Sequence, residues 1–196
     1  MAFSKPTLQI GINGRFFPEQ WRPATEEIAF LSTNGFQAIQ FLGSATGLST
    51  AILGAPLPVV AQALRDTGMT AVMEVNVHID RHVRTRDNLS PFDALYANLD
   101  AIRALPCTRV YWHLVPVESL TLVEQEALEH SLQSQLATAV ALADENGFCF
   151  GLEHNTPAFT LFNSAARCRV ALDAVPGLSF VRLLSALNGY TGSPWR

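Results

Sequence analysis

Short apolar runs alternate along the chain with longer segments in which apolar residues recur every three or four positions. Apolar runs of four to eight residues between turn residues are typical of buried strands, whereas the wider spacing is typical of amphipathic helices. The pattern predicts strands at 8–14, 36–43, 70–78, 109–115 and 148–152, and a sixth that begins at 178–181.

Capping signals indicate where several of the intervening helices begin. Thr121 with Glu124 forms a capping-box sequence, and Ser90 followed by Pro91 supplies an N-cap with proline at the first helical position. The apolar stripes of these two helices are Leu128, Leu132, Leu136 and Val140, and Phe92, Leu95, Leu99 and Ile102. A further helix is predicted from about 157 to 174.

The alternation of strand and helix predicts βαβ units and therefore a parallel sheet. Five complete units and a sixth strand are present. The first strand ends in the sequence GRFF at 14–17 rather than in G-x-G-x-x-G, which does not favour a dinucleotide-binding fold. A (β/α)₈ barrel needs roughly 250 residues, and this chain has 196. We therefore predict an α/β protein of the (β/α)₈ TIM-barrel type that is incomplete, as one domain over 1–196 with an atypical tail at 182–196.

Composition limits the classes of partner. Hydrophobic residues make up 48% of the chain and charged residues 15%, as in a well-packed soluble protein. The formal net charge of −4 provides no basic surface for nucleic acid or an anionic membrane. We expect neither a membrane span nor a leader segment, and no C-x-x-C pair occurs among the three cysteines. We expect reduced thiols in apolar surroundings, a cytoplasmic location, and neither nucleic acid nor membrane as a partner.

The strongest chemical signal follows the fifth apolar run. Glu153, His154 and Asn155 end this strand, and parallel α/β folds bind their ligands at the carboxyl ends of strands. A buried carboxylate is costly unless it is paired, hydrogen-bonded or bound to a metal. Glu153 is therefore the first candidate for chemistry, with hydrogen bonds to loop amides as the alternative. His154 and Asn155 are expected either to orient Glu153 or to cap the following helix.

Other polar residues lie in or at the end of the third and fourth strands. His78 ends the third strand and His113 lies in the fourth. Each is either a ligand or substrate contact, or an interior histidine with a satisfied hydrogen bond. Glu74 and Asn76 share a face of the third strand with His78, because side chains alternate along a strand. We expect these two to form a structural polar layer.

Two loops carry candidate substrate-binding groups. The loop after the third strand holds Arg81, His82, Arg84 and Arg86. Guanidinium groups fit the oxygens of a phosphate group, although a solvated loop is the favoured interpretation. The loop after the first strand holds Arg15, Phe16, Phe17 and Trp21. These side chains would form the wall of a ligand pocket, with a packed loop as the alternative.

Taken in order, these features resemble the xylose isomerase-like TIM barrels. This superfamily contains sugar and sugar-phosphate isomerases and epimerases and also AP endonuclease family 2. The matching segments are Ile10-Gly11-Ile12, Gly35-Phe36-Gln37-Ala38-Ile39-Gln40, His78, His113, Gly151-Leu152-Glu153-His154-Asn155 and Val175-Pro176-Gly177-Leu178-Ser179-Phe180. They lie within residues 8–181. Each motif is weak by itself, whereas their order and spacing together are moderately specific.

The resemblance implies a divalent metal such as Mn, Mg, Co or Zn. Glu153 would be both a metal ligand and a catalytic proton-transfer group, since the glutamate that ends the fifth strand has these roles in the family. Members with multinuclear zinc sites place histidines at the third and fourth strand ends. This implies metal-ligand or substrate-binding roles for His78 and His113, and Arg15 and Asn155 complete the set of candidate substrate-binding residues.

The sequence departs from the family after the sixth strand begins. The family places a metal-binding aspartate and a nearby histidine there, where this chain reads VRLLSA at 181–186. The seventh and eighth strands, which bring a further histidine and a second catalytic glutamate, are not in the sequence. We therefore expect a C-terminally truncated barrel with weak or no turnover.

The resemblance implies a metal-dependent sugar or sugar-phosphate isomerase or epimerase that acts on a small carbohydrate. Whether this chain is an enzyme stays open, because a non-catalytic barrel fragment fits the same sequence. An AP endonuclease-like hydrolase is less favoured, since DNA binding depends on cationic contacts. Strand edges left open at both ends of an incomplete sheet predict a homo-oligomer through pairing with another copy.

Overall fold

The computed structural model describes residues 9–14, 22–153 and 161–181. The strands of this part of the chain are β1 (Gly11–Asn13), β2 (Ala38–Gly43), β3 (Thr70–Ile79), β4 (Arg109–Pro116), β5 (Cys149–Glu153) and β6 (Ser179–Val181). The helices are α1 (Ala24–Thr33), α2 (Thr50–Leu53), α3 (Leu57–Thr67), α4 (Pro91–Ala97), α5 (Leu99–Ala104), α6 (Leu122–Asn146) and α7 (Ala165–Ala174). The tail predicted at 182–196 lies outside the described residues.

The six described strands form one parallel sheet in the order β1-β2-β3-β4-β5-β6. Each strand therefore pairs with the next strand in the sequence. A doubly wound sheet would instead reverse its order beside the first strand. The sequential order is that of a (β/α)₈ barrel, and over the described residues the sheet stays open between β1 and β6. The prediction of an incomplete fold of the TIM-barrel type is confirmed.

One face of the sheet packs against the helices and is apolar. Met73, Val75 and Val77 of β3 are fully buried, as is Trp112 of β4. Trp112 packs edge-on against Phe150 of β5, with 4.9 Å between ring centroids. Burial of a large apolar side chain stabilises the fold by roughly 1.5–3 kcal/mol. A one-residue slip would turn this set to the other face, so the apolar layer fixes the strand register.

The alternate positions form the inner face, which is polar at the centre of the sheet. The inner-face polar residues are Gln40, Glu74, Asn76, His78, Tyr111, His113 and Glu153. Gln40 and Glu74 are buried although both are polar. In a closed barrel this face lines the interior, and its carboxyl-terminal end is where such folds hold their ligands.

Local capping explains several helix boundaries. Thr121 and Glu124 make both hydrogen bonds of a capping box at the start of α6, and Gly147 ends that helix with a φ of 74°. Ser90 and Asp93 make the same reciprocal bonds at the start of α4. These side chains satisfy backbone groups that the first turn of a helix leaves without partners.

Two helices differ from the sequence prediction. The helix expected to carry the stripe at 92–102 is divided into α4 and α5 at Asn98. The buried side chain of Asn98 donates a 2.7 Å hydrogen bond to the carbonyl oxygen of Ala94, and such local bonds compete with regular helix. Within the described residues, the helix predicted from about 157 begins only at Ala165, where Ser164 is the N-cap.

Two of the three cysteines are buried. Cys107 and Cys168 are buried free thiols, and burial raises the pKa of Cys107 to about 12 and that of Cys168 to about 11. Cys149 is exposed at the start of β5, so the expectation that all three thiols lie in apolar surroundings is wrong for this one.

Among the described helices, none has both the length and the apolar character needed to cross a membrane.

Candidate metal centre

Three inner-face side chains from adjacent strands meet near the middle of the sheet. Glu74 belongs to β3, His113 to β4, and Glu153 is the last residue of β5. One donor atom from each lies within 4.8 Å of the other two. Carboxylate oxygens and imidazole nitrogens are common ligands of divalent metals. We call these three residues the candidate metal centre.

The register of the sheet explains why these residues meet. His113 pairs with Asn76 of β3, so Glu74 lies two residues before that position on the same face. Residues that are diagonal neighbours on a sheet are within reach of long side chains. The β4–β5 ladder brings the positions of His113 and Glu153 side by side. The three residues are therefore one βα unit apart in sequence and adjacent in space.

Nδ1 of His113 faces both carboxylates. It lies 3.1 Å from Oε1 of Glu74 and 3.4 Å from Oε2 of Glu153. Bonds from zinc to nitrogen or carboxylate oxygen are about 2.0–2.2 Å long, so two ligands of one ion lie roughly 3.0–3.6 Å apart. Both measured separations fall in this range. The three side chains are 7%, 17% and 13% exposed for Glu74, His113 and Glu153, which largely excludes water.

Two further side chains hold the carboxylate of Glu74 in place. Nε2 of Gln40 donates a 2.6 Å hydrogen bond to Oε2 of Glu74. The hydroxyl of Tyr111 donates to the same oxygen over a longer distance of 3.4 Å. These bonds leave Oε1 directed toward His113. Hydrogen bonds of this kind orient a metal ligand and raise its affinity for the ion.

The donor set fits a divalent cation. The centre places two carboxylates in a nearly water-free site with a single imidazole between them. Apart from the contact with His113, the buried Oε2 of Glu153 accepts no hydrogen bond from the described residues. A buried carboxylate oxygen without a donor is costly, and a bound cation would satisfy it.

Burial and neighbouring charges shift the pKa values of His113, Glu153 and Tyr111. Burial lowers the pKa of His113, but its hydrogen bond to Glu74 and the charges of Glu153 and Glu74 outweigh this, so the pKa is raised overall. Burial raises the pKa of Glu153, which the charge of His113 only partly offsets and that of Glu74 reinforces. Burial and the two carboxylates also raise the pKa of Tyr111, which therefore stays a neutral donor.

Comparison with known proteins identifies the fold. No protein-family model matches the chain, and no curated protein matches it in sequence. Among solved structures, a D-psicose 3-epimerase in the presence of D-fructose has a TM-score of 0.67 at 11% identity, over 89% of this chain and 63% of that one. The IolI protein with a bound zinc atom has a TM-score of 0.66 at 13% identity, over 88% and 62%.

An AP endonuclease of family 2 from Brucella melitensis also matches, with a TM-score of 0.63 at 17% identity, over 88% of this chain and 67% of that one. A fusion protein described as a xylose isomerase-like TIM barrel has the same TM-score and identity. The fold is that of the xylose isomerase-like TIM barrels. The resemblance inferred from the sequence is confirmed at the level of the fold. The chain spans less than two thirds of the length of the epimerase and of IolI.

The structure describes one of the remaining predicted site residues, His78. His78 shares a face of β3 with Glu74, but it is exposed near the end of the strand and lines a cavity. It is not part of the ligand group found among the described residues. Arg15, His154 and Asn155 lie outside the described residues.

The arginines that follow β3 face different neighbours. Arg81 binds the carboxylate of Glu118, with nitrogen-to-oxygen distances of 3.0 and 2.5 Å. Arg84 is 4.0 Å from Asp93 at the start of α4, and Arg86 lines the cavity that His78 also lines. Exposed, separately placed arginines fit the solvated-loop interpretation better than a shared phosphate site.

The sequence patterns did not single out every residue of the candidate metal centre. It assigned Glu74 only to a structural polar layer, and it did not select Gln40 or Tyr111. The available signal was a polar residue inside an otherwise apolar strand, as with Gln40 within Ala38–Gly43. Such residues are rarely buried without a partner, so their positions carry information.

Proposed function

We propose that this chain binds a divalent metal through Glu74, His113 and Glu153 and uses the site to isomerise or epimerise a small sugar. The main support is the convergence of a histidine and two carboxylates, all largely buried, from three adjacent strands. The names of the similar structures agree with this proposal, because they include a D-psicose 3-epimerase and a protein with bound zinc.

The residues of the centre have distinct roles in this proposal. A divalent ion supplies Lewis-acid polarisation of a sugar carbonyl when bound. Isomerisation and epimerisation through an enediolate both require a proton to leave and return to carbon, which a positioned carboxylate performs well when its pKa is near the working pH. The pKa of Glu153 is raised in that direction. Glu153 is therefore the proposed proton-transfer group, while Gln40 and Tyr111 fix Glu74.

An alternative role as an AP endonuclease-like hydrolase has a structural neighbour in its favour. The formal net charge of −4 argues against it, since backbone contacts from cationic side chains dominate the affinity of proteins for DNA. The sugar-directed role is therefore the better supported of the two.

The proposal is tested by titrating Mn²⁺ and Zn²⁺ into the metal-stripped protein in a calorimeter. We expect one ion per chain in the unmutated protein. Glu153→Gln keeps the shape of the side chain but removes the charge. Loss of a hydrogen bond that supports a metal ligand weakens metal binding by roughly 10–100-fold, and loss of the ligand charge itself should weaken it by more. Glu118→Gln is the matched control, because Glu118 is a carboxylate that binds Arg81 away from the centre.

Catalysis is then read from the exchange of carbon-bound protons of D-psicose and D-fructose in D₂O by NMR. Exchange that requires both the ion and Glu153 supports the isomerase or epimerase role. Metal binding with neither exchange nor interconversion of either sugar would favour a non-catalytic barrel. Equal metal affinity in the unmutated protein and Glu153→Gln would exclude the centre.

A further inference from the structure

A largely buried ion pair joins α6 to α7 outside the candidate metal centre. Nε of Arg167 lies 2.9 Å from Oε2 of Glu129, and the two side chains are 15% and 11% exposed. Burial raises the pKa of Glu129, although its hydrogen bond from Phe162 and the charge of Arg167 act in the opposite direction. Replacing a buried ion pair by apolar residues is often neutral or stabilising. Stability alone therefore does not explain this pair.

The second oxygen of Glu129 holds a strained turn. Its Oε1 accepts a hydrogen bond from the backbone N–H of Phe162, which lies shortly before α7. The carbonyl oxygen of Phe162 accepts a 3.3 Å hydrogen bond from Sγ of Cys168. Phe162 has a φ of 49°, in a region that strains residues with a Cβ. Such a backbone persists only where its surroundings hold it, and these two bonds contribute to that hold.

Arg167 connects the same turn to α6. Its Nη1 donates hydrogen bonds of 2.7 Å to Oε1 of Gln125 and 3.3 Å to Oδ1 of Asn163. Gln125 belongs to α6, whereas Asn163 directly follows Phe162. The rigid guanidinium fork fixes the geometry of the groups that it joins. We call Glu129, Arg167 and Phe162 the α6–α7 clamp.

The clamp presents the ring of Phe162 to β6. This side chain is buried and packs against Phe180, with 6.2 Å between ring centroids and 62° between ring planes. Aromatic pairs favour edge-to-face contacts at such separations. Phe180 is the register partner of Leu152, which directly precedes Glu153. The clamp therefore reaches the end of β5 through this aromatic contact.

The end of β5 depends on support of this kind. Its ladder with β6 has three residue pairs, and Glu153 pairs with Val181 at the carboxyl end. Among the described strands, β6 has no neighbour on its other side. A short ladder at a sheet edge is stabilised mainly by the packing of its side chains. Oε2 of Glu153 lies 3.4 Å from Nδ1 of His113, so displacement of this strand end would change the geometry of the candidate metal centre.

We propose that Glu129 is a positioning residue for Glu153. Through the α6–α7 clamp it holds Phe162 against Phe180, and this contact keeps the end of β5 where metal binding requires it. The proposal rests on the proposed function, because it gives the clamp a role in the same metal centre. It adds a residue of the helical layer to those that set the affinity of the site.

Two substitutions of Glu129 test the proposal. Glu129→Leu removes both oxygens, whereas Glu129→Gln keeps an acceptor for the N–H of Phe162 and removes the charge. Mn²⁺ is titrated into the metal-stripped full chain in a calorimeter, at a temperature where thermal melts show each variant to be folded. We expect Glu129→Leu to weaken Mn²⁺ binding by about 10-fold or more and Glu129→Gln to weaken it less. Glu126→Gln is the matched control, because Glu126 is an exposed carboxylate of the same helix, and it should leave the affinity unaltered.

Phe180→Leu tests the route, because it removes the aromatic contact and keeps an apolar side chain. It should weaken Mn²⁺ binding by itself. Adding Glu129→Leu to it should weaken binding little further, since residues that act through one contact give non-additive effects. Fully additive effects of the two substitutions would show that Glu129 does not act through Phe180 and would overturn the proposal.

Amide hydrogen exchange separates positioning from general stability. In metal-free Glu129→Leu, the amide protons of the β5–β6 ladder should exchange faster, while those of the β2–β3 ladder should keep the rate of the unmutated protein. Leu64→Ala is the destabilised control, because it removes a buried side chain of α3 and should lower the Tm without changing Mn²⁺ affinity. An equal loss of Mn²⁺ affinity in Leu64→Ala and Glu129→Leu would show that the clamp is only structural.

The outcomes distinguish this proposal from the proposed function. If Glu129→Leu binds Mn²⁺ as tightly as the unmutated protein does, the positioning role is overturned and the metal centre stands. If the unmutated protein binds no Mn²⁺, the proposed function fails. Exchange at the β5–β6 ladder of the metal-free protein then still decides whether the clamp holds the end of β5.

Discussion

A carboxamide on β2 holds a carboxylate on β3: Nε2 of Gln40 lies 2.6 Å from Oε2 of Glu74. Both residues are buried, so this hydrogen bond is protected from water. Tyr111 reaches the same oxygen from β4, but at 3.4 Å its bond is long for a hydroxyl donor. The two donors therefore hold Glu74 with unequal strength.

We predict that Gln40→Leu weakens Mn²⁺ binding by about 10–100-fold, because Glu74 loses the bond that orients it toward His113. Tyr111→Phe removes the longer bond and should have a smaller effect. Calorimetric titration of both variants checks the order. A larger loss in Tyr111→Phe, or unaltered affinity in Gln40→Leu, would show that Gln40 does not position the ligand.

Glu153 gives the metal-free protein a pH dependence of stability. Burial raises its pKa in the folded state, so the folded protein binds this proton more tightly than the unfolded chain. The resulting stabilisation is complete below the unfolded pKa of about 4.3 and is lost as the pH rises through the folded pKa. The pKa of His113 is also raised in the folded protein, so its stabilising contribution is likewise complete below the unfolded pKa of about 6.5 and is lost at higher pH.

Glu153→Gln should therefore become more stable relative to the unmutated protein as the pH rises from about 5 to 9. Thermal melts in the presence of a chelator measure the difference in Tm at each pH. Glu118→Gln is the control, because its ion pair with Arg81 lowers the pKa of Glu118 and moves its titration below this window. If the Tm of Glu153→Gln does not rise relative to that of the unmutated protein toward pH 9, the pKa of Glu153 is not raised in the folded state.

The pairing of β5 with β6 depends on the absence of a side chain at Gly151. A Cβ there would lie 2.6 Å from Oγ and 2.8 Å from the carbonyl oxygen of Ser179. Gly151→Ala should reduce the free energy of unfolding by about 1–3 kcal/mol, as overpacking typically does. Chemical denaturation measures this change.

Ser179→Ala should not restore the stability of Gly151→Ala, since the backbone carbonyl remains in the way. Cys149→Ala, at the exposed start of the same strand, is the control and should change stability by less than about 0.5 kcal/mol. Full rescue by Ser179→Ala would show that only the hydroxyl, and not the backbone, sets the constraint.

The fold was largely predictable because its information is local. Apolar runs and helical stripes follow from side-chain periodicity, and β4, predicted at 109–115, is observed at Arg109–Pro116. The division of one helix at Asn98 was not predictable in this way. It depends on hydrogen bonds from a buried side chain to Ala94 and to Ser44, and Ser44 lies far away in sequence.

The candidate centre was predictable only in part. Glu153 and His113 were selected by their places in strands and by the resemblance, and the structure brings them together. Glu74 lies within a strand, and its closeness to His113 depends on the stagger between β3 and β4, which no sequence pattern displays. The same stagger pairs His78 with Val115 and so sets it farther along the sheet.

The sequential strand order also has a consequence for synthesis of the chain. Each strand leaves the ribosome directly before the neighbour with which it will pair, so every pairing closes a loop of only one βα unit. The candidate metal centre draws on three consecutive strands, and all of its side chains are available once β5 has docked on β4. These three side chains can therefore come together before β6 pairs with β5.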